Sequence, residues 1–192
     1  MAKKSEFKPD KPRSGWLSKL YITPKQRRAI LKWVLYSLVI LVLSLLQDVV
    51  LSNLRPFGAA IELVPAAIIL VCLLEGVQSG CVFVLCASLY YWFSGATLGA
   101  FAMVVITVLS IFVTMFRQNF MQKGFGAAFL CTAFCVLIYE MALFVLGAIL
   151  GLTPWYRFGG FLLTAAMGII TIPLLYPLLL LIESIGGETW KE

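Results

Sequence analysis

The sequence predicts an all-α, polytopic membrane protein: a bundle of six transmembrane helices. Three observations predict it. Of 192 residues, 61% are hydrophobic and only 12% charged, a balance outside what a water-soluble domain can bury. Mean hydropathy is +0.98. The apolar stretches approach the length of about 20 residues that a helix needs to cross hydrocarbon, and they lack the alternation and turn spacing of barrel strands. Residues 1–28 read as a basic, partly disordered cytoplasmic tail, 29–183 as the six-helix domain and 184–192 as a second cytoplasmic tail.

The elements follow in chain order. Trp16, Leu17, Leu20 and Tyr21 beside Lys19 form a short amphipathic piece suited to a lipid surface. Thr23, Pro24 and Gln26 fit the N-cap, first position and third position of a capping box, so the first long helix starts in the cytoplasm and enters the membrane near Ala29. Lys32 is expected to snorkel back to the headgroups. Helix one runs to about Val50, ahead of the Asn53-Leu-Arg-Pro56 break. Helix two covers about Ala60 to Leu74 and is short, interrupted by Pro65. Helix three spans Val77 to Phe93, helix four Ala96 to Phe116, helix five Phe125 to Leu150 and helix six Phe158 to Leu181. The polar stretch Arg117 to Gly124 divides four from five, and the Gly151-Leu-Thr-Pro154 turn divides five from six.

Six crossings put both termini on one face. That face then carries thirteen of the fifteen Lys and Arg residues, and Arg55 and Arg157 lie opposite. The positive-inside rule makes the thirteen-residue face cytoplasmic. Tyr90, Tyr91, Trp92, Trp155 and Tyr156 gather where this topology puts the outer interface, as an aromatic belt does. The first apolar run is too long, and its basic leader too extended, for a cleaved signal peptide. A net charge of +6 reflects the tail rather than a nucleic-acid surface, because no base-reading or aromatic context accompanies it.

Residues able to carry chemistry are few. Cys72, Cys81, Cys86, Cys131 and Cys135 all fall inside apolar runs, and the chain has no His, so neither a disulfide framework nor a metal site is expected. No Walker loop, nucleophile elbow or clustered acid pair stands out, which argues against an enzyme and against a cofactor. Among the acids near membrane depth, Asp48 and Glu62 read as outer, Glu75 as inner and Glu140 as central. A charge at Glu140 would cost about 2.5–3.5 kcal/mol on insertion scales. With Tyr139 beside it, Glu140 is either a proton or cation site or a neutral, hydrogen-bonded helix contact. With no second acid, His or Lys at its depth, the contact is favoured. Asp48 and Glu62, with Arg55 in the loop between them, could form a surface ion pair. Gly76 with Gly80, Gly95 with Gly99, and Gly147 with Gly151 stand four apart, a spacing that lets helix backbones approach or lets loops form.

The order of these features resembles the rod shape-determining protein MreD family from about residue 30 to 185. Leu46-Gln47 looks like that family's Leu-Gln, Pro65 like its Pro-led second helix, and Gly76 and Gly80 like the glycines opening its third. Ser94-Gly95-Ala96-Thr97-Leu98-Gly99 resembles the turn before helix four, Tyr139-Glu140 a Tyr-Glu pair many members carry, and Pro177 with Glu183 the family's ending. Members often carry Asp where this chain has Tyr91, and the basic tail here is longer, which points to an added lipid or protein contact. The resemblance implies a bundle similar to the substrate-binding subunits of energy-coupling-factor transporters, working as a non-catalytic scaffold of lateral cell-wall synthesis. Its implied partners are an MreC-like protein, a RodA-type glycosyltransferase, a class B penicillin-binding protein and MreB. The alternative is a vitamin-binding transporter subunit of the same architecture, which would need an outward pocket lined by polar and aromatic groups.

Overall fold

A computed structural model describes residues 24–53, 59–95, 99–120 and 124–185. Among the described residues there is no strand. The chain forms α1 (Pro24–Leu45), which continues as a π-helical turn (Leu46–Leu51), then α2 (Val64–Glu75), α3 (Val77–Phe93), α4 (Ala100–Phe120), α5 (Phe125–Ile149) and α6 (Phe158–Ile185). Four of these elements are long and apolar enough to cross a membrane: α1 with its π turn, α4, α5, and α6 with the short 3-10 turn before it. The capping box at Thr23 and the amphipathic piece before it lie outside the described residues, as do Arg55 and most of the acidic tail.

The core of the fold is α2. It is apolar on every side, and a helix without a polar face has no stable place except inside other protein or lipid. Here it is protein: every residue from Val64 to Glu75 is buried, and α1, α3, α4, α5 and α6 all pack against it. At 1.5 Å per residue α2 is only about 18 Å long, well short of the hydrocarbon thickness. The other helices keep their large apolar side chains outward, with Val49, Val108, Phe112, Leu130, Phe134, Ile170 and Leu174 all exposed. This is the inside-out pattern of a bundle solvated by lipid.

The glycine pairs separate into two jobs. Gly76 joins α2 to α3 with φ 82° and ψ 176°, a conformation a side chain would resist, and this lets the chain reverse within one residue. Gly95, Gly99 and Gly151 also take positive φ beside turns. Gly80 and Gly147 lie at close contacts instead. A methyl group on Gly80 would sit 3.0 Å from Cys72 Sγ and 3.1 Å from the Cys72 Cα and carbonyl oxygen, and one on Gly147 would meet Thr153 Oγ1. The Leu152 and Thr153 amides both donate to the Gly147 carbonyl, at 2.9 and 3.0 Å, which folds the α5–α6 turn back onto α5.

At Gly80 the obstacle is backbone, which cannot rotate away. Gly80→Ala should therefore force α3 off α2 and destabilise the protein by about 1–3 kcal/mol, read as a lower unfolding midpoint in detergent. Gly126→Ala, on an open face, serves as the neutral control.

Candidate functional site

A helix that ends inside a bundle leaves its first amides and last carbonyls without water, so other side chains must reach them. In α2 they come from neighbouring helices, and they define two polar clusters, one at each end.

At the start of α2 the key residue is Gln47. The π turn at Leu46–Leu51 holds it as the one buried residue of that segment. Its Oε1 accepts from the Leu63 amide at 2.8 Å and the Val64 amide at 3.1 Å. It thereby does for α2 what an N-cap side chain does, but from another helix. Its Nε2 donates to the Tyr91 hydroxyl at 3.1 Å, and Tyr91 in turn donates to Glu62 at 3.4 Å. Glu140 of α5 is a near neighbour of Glu62 in the same cluster. Glu62 is partly exposed as a residue, with its carboxyl turned in to these partners, whereas Glu140 is 2% and Tyr139 1% exposed. Gly168 of α6 makes room: a Cβ there would lie 3.5 Å from the Glu62 carbonyl and 3.2 Å from Val136, one turn before Glu140.

Two expectations change here. Tyr91 does not join an interfacial belt with Tyr90 and Trp92; it is 1% exposed and bridges Gln47 to Glu62. Glu140 does have a second acid beside it. Depth had been assigned along a second helix starting near Ala60, whereas α2 begins only at Val64 and Glu62 lies in the non-helical segment before it. Asp48 stays exposed and accepts from Ser44 at 3.4 Å. A cavity of about 180 Å³ opens beside the cluster, lined by Gln47, Asp48, Ser52, Ile61 and Glu62 among others.

At the far end of α2, Lys32 Nζ lies 2.6 Å from Glu75 Oε2, and the Tyr36 hydroxyl donates to Glu75 Oε1 at 2.8 Å. Lys32 is 2% exposed, so it does not snorkel to the headgroups as expected. Its short distance to a fixed carboxylate outweighs hydration at the membrane surface. Trp33, Tyr36 and Phe83 stack with ring centroids 5.6–5.9 Å apart and cover the pair. Lys32 Nζ also sits 5.7 Å from the Trp33 ring. From α4, Arg117 Nη1 donates to the Leu73 carbonyl at 2.7 Å, closing one of the orphan carbonyls and placing positive charge at the negative end of the helix. Arg117 had been read as a loop residue, but α4 extends through Phe120. An i, i+4 stripe of Lys32, Tyr36, Ile40 and Ser44, all buried, was the sequence signal for an inward face on α1.

Chemically, neither cluster displays a nucleophile with a base. Among the described residues no group of three or more His, Cys, Asp or Glu could hold a metal. What the clusters do is hold the two ends of α2.

Removing one partner of a buried ion pair leaves the other uncompensated, whereas neutralising both does not. Lys32→Met should cost about 3–5 kcal/mol of stability in detergent. Lys32→Met combined with Glu75→Gln, which keeps an acceptor for Tyr36, should recover most of that loss. Compared with known proteins, the chain matches no family model, no curated protein and no solved structure.

Proposed function

We propose that this protein is a non-catalytic scaffold of a bacterial rod-shape complex, crossing the plasma membrane six times with both termini cytoplasmic. One observation carries the reading: the buried Lys32, Glu75, Gln47 and Tyr91, with Arg117, engage one another or the ends of α2, while the exterior is largely apolar and open to lipid and partner helices. Lys32 pairs with Glu75, Gln47 with the start of α2 and with Tyr91, and Arg117 with the end of α2. Two cavities among the described residues measure about 180 and 250 Å³, smaller than the range of about 300–1,000 Å³ of small-molecule sites.

Gln47, Pro65, Gly76, Gly80, Tyr139 and Glu140, which carry much of the resemblance to the MreD family, lie at the start of α2, at the α2–α3 joint or in the buried cluster.

Affinity purification of the full chain from native membranes in mild detergent tests the proposal. The expected co-purifying proteins are a single-pass, coiled-coil extracytoplasmic protein of MreC type together with the glycosyltransferase and transpeptidase of wall elongation. Recovery of a transporter ATPase and a tightly held vitamin, with no wall-synthesis protein, would replace it with the transporter reading.

A further inference from the structure

On the flank between α1 and α3 the bundle leaves a recess of about 250 Å³, and the side chains around it explain why. At one end Trp33 and Tyr36 of α1 meet Phe83 of α3 through ring contacts at 5.6 and 5.9 Å. At the other end Gln47 of the π turn reaches the Tyr91 hydroxyl at 3.1 Å. Large groups thus space the two helices at both ends, and between them the facing positions carry the small side chains of Ser37, Cys86 and Ala87. Ile40, Phe83 and Ala87, all buried, form the floor, and Ser37, Leu41 and Cys86, all exposed, form the rim. α1 is kept from leaning over the recess, because Lys32 and Tyr36 tie one end of it to Glu75 and Gln47 ties the other to the start of α2.

The recess lies between the two polar ends of α2, at the depth of hydrocarbon. Its mostly apolar walls forgo packing contacts unless apolar matter fills it. Charge at its foot says which molecule brings that matter. Residues 33 and 36 meet 83, and 47 meets 91, so α1 and α3 run in the same direction. Followed back toward the helix starts, Ser79 lies on the face of α3 that carries Phe83 and Cys86, at i, i+4 and i+7. Arg27 lies on the stripe of α1 that carries Val34 and Leu41, at i, i+7 and i+14. Ser79 and Arg27 are both exposed, whereas Glu75, the acid at this end of α2, is buried against Lys32. The stretch from Phe83 to Tyr90 begins about 6 Å and ends about 17 Å above Ser79. An acyl chain covers that depth within one leaflet, half of a hydrocarbon core about 30 Å thick. A basic residue and a hydroxyl at headgroup level, below an apolar slot one leaflet deep, complement a lipid with a negative headgroup.

We propose that the α1–α3 recess is a binding site for one anionic phospholipid, whose acyl chain occupies the recess and whose phosphate meets Arg27 and Ser79. This goes beyond the scaffold reading and does not depend on it. It also differs from the attraction of a basic tail to an anionic membrane, since it requires a single lipid held by side chains of two helices.

The experiment reconstitutes the full chain in vesicles of phosphatidylglycerol and phosphatidylcholine in equal amounts, extracts it again in mild detergent and counts the retained lipids by native mass spectrometry. The wild type should keep one phosphatidylglycerol in preference to phosphatidylcholine. Ser37→Phe and Cys86→Phe, which fill the recess from its exposed rim on either wall, should lose that lipid. Val108→Phe, on an exposed face of α4, should keep it. Arg27→Gln should still retain a lipid but with the preference for phosphatidylglycerol lowered about fivefold, the effect of one basic residue at an anionic headgroup. A wild type that retains no lipid, or shows no preference for the anionic one, overturns the site. So does retention unchanged in the filled variants, or a co-purified protein's transmembrane segment found in the recess in place of lipid. If one filled variant fails to fold, the other decides.

Discussion

Everything in this bundle depends on a helix that begins and ends away from water. The backbone of α2 is saturated along its middle by its own hydrogen bonds, but its terminal amides and carbonyls face protein on all sides. Leaving such groups unpaired costs about 1–3 kcal/mol each, comparable to a large share of a domain's net stability. Gln47 at one end and Arg117 at the other meet that requirement. Both come from helices that run alongside α2 rather than from its own flanking residues. The identity of α1 and α4 as neighbours of α2 is therefore written in hydrogen bonds as well as in apolar contact, which matters where the hydrophobic effect does not discriminate between lipid and protein neighbours.

The charges follow from the same constraint. The negative end of α2 is an unfavourable place for Glu75 unless positive charge stands nearby, and Lys32 and Arg117 both do. The positive end of α2 faces acceptors: the Gln47 oxygen directly, and Glu62 just upstream. Between the two clusters, Pro65 to Leu74 present only apolar side chains and one thiol, so no chain of polar groups along α2 joins one end to the other. The two clusters act as separate fasteners at opposite ends of one apolar rod.

Much of the architecture was legible from hydropathy alone. The boundaries of helices three and five come within a residue of Val77–Phe93 and Phe125–Ile149, because Gly76, Gly124 and the Gly151 turn punctuate them. Helix four was placed too early, starting at Ala96 rather than Ala100 and ending before Phe120, since Arg117 looked like loop chemistry when it is in fact helix chemistry turned inward. The site was less legible. Lys32 and Tyr91 were assigned to the interface by their residue type, and type says nothing about a partner that arrives from a distant stretch of chain, as Glu75 and Glu62 do. Gln47 drew notice only through the family resemblance, because the amides it caps lie sixteen and seventeen positions further along. The usable signal was the brevity of the Val64–Glu75 run together with its lack of any polar face, which marks a helix enclosed by others.

Single cysteines placed at each position from Val64 to Glu75, in a chain otherwise free of cysteine and reconstituted in lipid, test that enclosure most directly. Every position should resist both a water-soluble and a lipid-soluble thiol reagent, while Val49 and Leu130, replaced in the same way, react with the lipid-soluble one. A stripe of reactive positions along Val64–Glu75 at helical spacing would mean that α2 faces lipid or water, and would contradict the account.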